Sequence, residues 1–301
     1  MKSITVFTPT FNRAYCLKQL YDSLLRQTSA DFTWLIIDDG SSDGTQALVE
    51  SWINEQKVDI RYLYQNNHGM HSAHNTAYKN IQTALNVCID SDDFMPDNAI
   101  ALILERWAEV QSNPAIAGII GLDASKDSGT VVGTGFPDGI RFSTLSELYR
   151  IHGVKGDKKL VLRTEVVRKF PLYPLFEGEK LVPLGTLYHM IGQQYKFFCV
   201  NDIYCIVEYL PDGSSNNIMK QYKKSPQGFR YARALEMKFS DSFSYTFSRA
   251  MHFVSSTLFI GDLAFFRNNP KKMITLLALP FGLALHLYIL LKINESPSNN
   301  K

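Results

Sequence analysis

Over the first 122 residues, short apolar runs alternate with stretches whose apolar positions recur every three or four residues. Runs at 4–7, 34–37, 60–64, 86–89 and 116–120 have the length and the β-branched or aromatic content of buried strands. Between the first two, Leu17, Leu20, Tyr21, Leu24 and Leu25 keep the spacing of an amphipathic helix, and Leu48, Val49, Trp52 and Ile53 do so in the next connection. Pro96 and Asp97 are expected to open a third helix, with a core face of Ile100, Ile103, Leu104, Trp107 and Ala108. Strands alternating with helices predict an α/β fold, a mostly parallel sheet flanked by helices.

The pattern weakens at 123–160, a stretch rich in Gly, Ser, Asp and Lys that is expected to form an irregular excursion. Helical periodicity returns from Arg230. Residues 273–291 form an apolar run, interrupted by Pro280, Gly282 and His286, whose length is near that of a bilayer span. A buried helix, an interfacial helix and a true span are all open. Arg267, Lys271, Lys272 and Lys292 around the run favour an anionic membrane surface.

The net charge of +2 over 301 residues conceals an asymmetry. From residue 211 onward there are 12 Lys and Arg against 5 Asp and Glu, a surplus of +7, which leaves −5 for the first 210 residues. An acidic catalytic part and a basic tail are expected, with no nucleic-acid partner. Cys16, Cys88, Cys199 and Cys205 show no CxxC spacing and read as unpaired thiols of a reducing compartment. No signal peptide precedes the first strand, so a cytoplasmic location is expected.

Ligands of open parallel sheets bind beyond the carboxyl ends of the strands. The residues there are Thr8-Pro9-Thr10-Phe11-Asn12-Arg13, then Asp38-Asp39-Gly40-Ser41-Ser42-Asp43-Gly44-Thr45, then Asn66-Asn67-His68-Gly69, then Asp90-Ser91-Asp92-Asp93. Turn formation and helix capping account for Asp43 and in part for Ser41 and Ser42. They do not account for two consecutive acids leaving an apolar strand, nor for three carboxylates in one tetrad. A carboxylate suits an imide N–H donor, and a cluster of them suits Mg²⁺ or Mn²⁺. His68, His71 and His74 lack a partnering carboxylate motif, which argues against zinc.

These three polar segments, at 8–13, 36–45 and 90–97, resemble the successive signatures of family 2 glycosyltransferases with the GT-A fold. The stretch Glu177-Gly178-Glu179-Lys180-Leu181-Val182-Pro183, with 208–214 after it, resembles those that build bacterial capsular, exopolysaccharide or teichoic-acid glycans. The resemblance implies a GT-A domain over 1–235, with a nucleotide-binding half at 1–122 and an acceptor half at 123–235. A helical, partly apolar C-terminal region at 236–301 follows, associated with the membrane.

The resemblance also implies site roles. Thr8, Pro9 and Thr10 line the nucleotide pocket, with Asn12 and Arg13 after them. Asp39 meets the uracil ring, Asp90 approaches the ribose, and Asp92 holds the divalent metal with Asp93 in support. Where the family often has Ala-Arg-Asn, whose Arg reaches the nucleotide, this chain departs with Ala73-His74-Asn75, and His74 has only a weaker hydrogen bond to donate there. Glu179 is the expected base, with Glu177 second; Asp212 faces the acceptor or forms a turn.

The implied reaction is inverting, metal-dependent transfer from a nucleotide sugar, most simply UDP-linked, to a glycan or lipid-linked glycan at the inner face of the cell membrane. Two alternatives stand beside it. One is a sugar nucleotidyltransferase, although 8–13 lack the glycines of a phosphate loop. The other is a non-catalytic glycan-binding or assembly partner with a GT-A-like fold.

Overall fold

The computed structural model describes residues 2–208, 218–262, 266 and 269–295. The chain divides into two compact units, residues 1–172 with 187–210, and residues 173–186 with 211–301. The boundary expected at 235/236 falls inside a helix of the second unit.

In the first unit, β1 (Ile4–Thr10), β2 (Phe32–Asp38), β3 (Ile60–Tyr64) and β4 (Leu85–Cys88) are linked by α1 (Leu17–Leu25), α2 (Thr45–Glu55) and α3 (Met70–Asn80). All four strands are parallel, in the order β3-β2-β1-β4. The chain first builds outward from β1 and then crosses to its other side, which opens a crevice beyond the β1 and β4 ends. α4 (Ala99–Val110) leads to β5 (Ile116–Ser125). β6 (Phe142–Ser143), α5 (Leu145–Arg150), β7 (Lys158–Arg163), α6 (Thr164–Val167), α7 (Gly185–Ile191) and β8 (Lys196–Val207) follow. β7 lies antiparallel between β4 and β5, and the sheet continues β5-β8-β6.

Every residue of β1 and β2 is buried, as expected of strands covered on both faces. Leu17, Leu20, Tyr21 and Leu24 of α1 join Trp34, Val49 and Trp52 on one side of the sheet. The Tyr21 and Trp52 rings stack at 4.4 Å, and the Trp34 indole N–H is satisfied by Thr8 Oγ1 at 2.9 Å. Full burial of each large apolar side chain here contributes roughly 1.5–3 kcal/mol.

Two expectations change. The 123–160 stretch is not irregular throughout, because β5 runs on to Ser125 and β6, α5 and the start of β7 fall within it. The Lys158 ammonium organises part of this stretch, donating to the carbonyls of Val132, Lys155, Gly156 and Asp157. Pro96 and Asp97 precede α4 instead of opening it. They are tied to α1, with Gln27 Nε2 donating to the Pro96 carbonyl at 2.8 Å and Arg26 pairing with Asp97 at 3.0 Å.

The second unit contains α8 (Ile218–Lys224), α9 (Pro226–Lys238), α10 (Phe243–Ile260) and α11 (Lys272–Glu295). Met237, Ala250, Phe253 and Ala278 form its core. A Cβ on Gly282 would lie 2.6 Å from Val254 Cβ, so only glycine permits the close approach of α11 to α10.

Candidate active site

Asn12 leaves β1 in the left-handed region at φ 53° and clamps the first two strand ends together. Its N–H donates to Ser41 Oγ and its Oδ1 accepts from the Ser42 N–H, both at 2.8 Å. Asp43 does more than form a local turn. Its carboxylate accepts from the Thr45 N–H and, across the gap, from the Ala14 N–H, both at 3.0 Å. Partial burial works against its charge, yet the bonds from Thr45 and Ala14 hold its pKa below the usual value. Arg13 donates to the Tyr15 hydroxyl.

The two consecutive acids divide their work. Asp38 is fully buried and closes the turn, accepting the Ser41 N–H at 2.7 Å and the Tyr62 hydroxyl at 2.6 Å. Asp39 Oδ1 accepts from Gln65 Nε2 at 2.6 Å and the His68 N–H at 3.0 Å; Oδ2 accepts from the Gly69 N–H at 2.7 Å. Three of its roughly four lone-pair sites are thus occupied, leaving capacity for one further donor. Beside it, the buried atoms Thr10 Oγ1 and Asn67 Oδ1 have no hydrogen-bond partner among the described residues. Unsatisfied buried polar atoms at a strand end suit a polar ligand.

In the tetrad, the Asp93 N–H donates to the Asp90 carbonyl at 3.1 Å, closing a turn that carries Asp92. Asp90 and Asp92 are half-buried. The Asp92 carbonyl is held by Gln19, whose Oε1 accepts from Lys126 at 3.1 Å; Lys126 also pairs with Glu208 at 2.6 Å. Asp93, expected beside Asp92 on a metal, turns toward β8, where it accepts the Glu208 N–H at 3.1 Å. Burial pushes its carboxyl up to about 7, opposed by Lys159 and reinforced by Asp90.

His74 is packed inside the unit. Its ring meets Phe7 edge-on at 5.0 Å, Nδ1 lies 3.3 Å from the Tyr78 hydroxyl and Nε2 lies 3.6 Å from Cys88 Sγ. Burial pulls its pKa down to about 4, so the imidazole is neutral at physiological pH and is no substitute for an arginine cation. Asn75 is also buried.

Periodicity gave no signal for Lys159 and Asp123. Lys159, on β7 opposite Gly121 of β5, brings its ammonium 3.8 Å from Asp123 Oδ1. Burial opposes its charge, but Asp123, Asp93 and Asp90 together hold it cationic. These residues meet through the antiparallel insertion of β7, a pairing distant in sequence.

In the second unit, Glu179 accepts the Gln227 and Gly228 N–H groups, both at 2.9 Å. Its carboxylate thereby caps the N-terminus of α9, where anionic charge is favoured. Glu177 is exposed. Asp212 and Arg267 lie outside the described residues.

Among the described residues, no three His, Cys, Asp or Glu side chains form a metal cage. Half-buried Asp90 and Asp92 fit a different arrangement, a hard cation taking one or two carboxylates and filling its shell with phosphate oxygens and water.

Residues 5–151 match the family model described as Glycosyl transferase family 2. This stretch, just under half of the chain, belongs to that family. Among relatives of this family 2 glycosyltransferase, chondroitin synthase of Escherichia coli is 33% identical over 105 residues, covering 35% of the chain and 15% of the relative. The poly(ribitol-phosphate) β-N-acetylglucosaminyltransferase TarS of Staphylococcus aureus is 29% identical over 116 residues, 36% of the chain and 20% of the relative. The chain therefore spans a fifth or less of the length of these relatives. In fold, it resembles S. aureus TarS 1–349 in complex with UDP-GlcNAc, with a TM-score of 0.62 at 15% identity over 96% of this chain and 89% of that one. The mannosyltransferase PcManGT from Pyrobaculum calidifontis, in complex with GDP-Man and Mn²⁺, gives 0.55 at 14% identity over 95% and 87%. The chain thus has the GT-A architecture.

Proposed function

We propose that the protein transfers a sugar from a nucleotide sugar, most simply a UDP-sugar, to a hydroxyl of a glycan or lipid-linked glycan in bacterial surface polysaccharide synthesis. The supporting observation is the chemistry at the ends of β1 and β2, where Asp39 retains acceptor capacity beside the unpartnered Thr10 Oγ1. A uracil imide N–H suits that carboxylate. Thr8 and Pro9 belong to the same strand end, with Asn12 and Arg13 shaping the loop after it.

Asp90 is assigned to the ribose and Asp92 to a divalent cation, Mn²⁺ or Mg²⁺. When bound, such a cation would neutralise charge on the departing diphosphate. The chain's residues orient the donor: the Asn12 clamp and the Gln19 contact hold the segments that bear Asp39 and Asp92. Inversion follows if a base deprotonates the acceptor hydroxyl as it attacks the anomeric carbon in line. By motif, Glu179 takes that role and Glu177 is second. Glu179 brings a fixed orientation, since two N–H bonds hold it.

Screening UDP-, GDP- and dTDP-sugars for metal-dependent donor hydrolysis tests this reading without an acceptor. Hydrolysis of a UDP-sugar with Mn²⁺ is expected, and failure of every donor with and without metal would overturn the transferase reading.

A further inference from the structure

Helix α11 has one side against protein and one side bare. Thr275, Ala278, Gly282 and Ile289 are buried, and the His286 ring lies 4.2 Å from that of Phe259 on α10. On the bare side stand Met273 (72% exposed), Leu277 (58%), Leu287 (60%) and Leu291 (63%), with Leu276 and Phe281 about half exposed. No Asp, Glu, Lys or Arg interrupts residues 273–291. An apolar stripe of this length is unusual on a water-facing surface.

The surroundings of the stripe indicate what covers it. Lys271 and Lys272 stand at one end and Lys292 at the other, and α8, which packs against α11, carries Lys223 and Lys224 in its last turn. Basic groups flanking an apolar stripe match the phosphates and acyl chains of an anionic bilayer. A wholly buried helix does not fit, because only 22% of the apolar window is buried.

A span, for which α11 is long and apolar enough, carries a cost that lying at the surface does not. The covered side of α11 lies on α10, and α10 carries Arg249, which faces the Arg233–Glu236 pair of α9 at 3.8 Å. Surrounding α11 with hydrocarbon would draw this ion network into the membrane.

We propose that α11 lies in the plane of an anionic membrane surface, with Met273, Leu277, Leu287 and Leu291 among the acyl chains, the flanking lysines at the phosphates, and α10 covering its water-facing side. α10 thus takes the place of the charged face that an isolated interfacial helix needs. This inference is independent of the transferase reading.

Flotation of the full chain with phosphatidylcholine vesicles, with and without phosphatidylglycerol, tests it. Co-flotation with the anionic vesicles is expected, weakened by salt and reduced at least about tenfold in Leu277→Glu/Leu287→Glu. Lys271→Gln/Lys272→Gln/Lys292→Gln, which leaves the apolar stripe and its packing intact, should move half-saturation to higher lipid concentration. Absence of wild-type binding to either vesicle, or binding unchanged in both variants, would overturn the proposal. Retention on the vesicles through alkaline extraction would show a span, and a lipid-independent dimer abolished by the Glu variant, without flotation, would show a second copy as the occupant; either overturns it. UDP binding by the same preparations reports separately on the donor site.

Discussion

Asp39 accepts the backbone N–H of Gly69 at 2.7 Å, so the carboxylate assigned to the nucleotide base also holds the turn that opens α3. Its fully buried neighbour Asp38 accepts the Ser41 N–H and the Tyr62 hydroxyl, and is assigned no part in the nucleotide site. Asp39→Asn should therefore cost about 1–3 kcal/mol of stability and also weaken UDP binding at least about tenfold. Asp38→Asn should cost similar stability while its folded fraction binds UDP normally. Calorimetric titration beside denaturant unfolding separates the two; equal UDP affinity in both variants would remove Asp39 from the site.

Gly40 is a test of loop geometry. It sits at φ 89°, and a Cβ there would lie 2.9 Å from the Asn67 backbone N. Gly40→Ala should destabilise the protein by about 1–2 kcal/mol from the left-handed backbone alone, with the Asn67 contact adding to it. Chemical denaturation measures the loss, and an unchanged midpoint would contradict this account of the two strand ends.

His74 predicts an acid dependence. Its folded pKa of about 4 lies below the ordinary 6.5 because burial excludes the charged form. The unfolded chain then binds more protons between those values, so the stability contribution is full above 6.5 and is lost as pH falls through 4. The linked loss is about 3 kcal/mol. Asp93, raised to about 7, has the opposite sign in this window, so the difference between wild type and His74→Gln isolates the histidine. That difference should shrink from pH 7 to pH 4; a constant difference would contradict the neutral, buried imidazole.

Lys159 and Asp123 form a buried pair. Lys159→Met should cost about 3 kcal/mol, because it strands carboxylates without their cation, and Asp123→Asn in the same chain should recover part of the loss. A double-mutant cycle by denaturant unfolding gives the coupling, and strict additivity would show that the pair does not interact.

The parallel half was legible because its residues obey local rules. The Leu17–Leu25 spacing and the four apolar runs each state their own structure, and the tetrad announces itself after β4. Asp93 was not legible: its inward turn depends on the Glu208 N–H, 115 residues away along the chain. Neither was Lys159, brought beside the acids by antiparallel β7 between β4 and β5. His74 lies within a family motif, yet the motif does not record that Phe7 and Tyr78 pack around it. Glu179 was legible as an acid in a family-like segment but not as the cap of α9, whose first turn lies 48 residues further on.

In the proposed function, the ends of β1, β2 and β4 bind a nucleoside diphosphate through Asp39 and, with a divalent cation, Asp92. Calorimetric titration of UDP into the protein, in Mn²⁺ and again in chelator, tests it most directly. Saturable binding in Mn²⁺ that weakens at least about tenfold in chelator, and likewise in Asp92→Asn, is predicted. No binding of UDP under either condition, or binding indifferent to both the metal and Asp92, would contradict it.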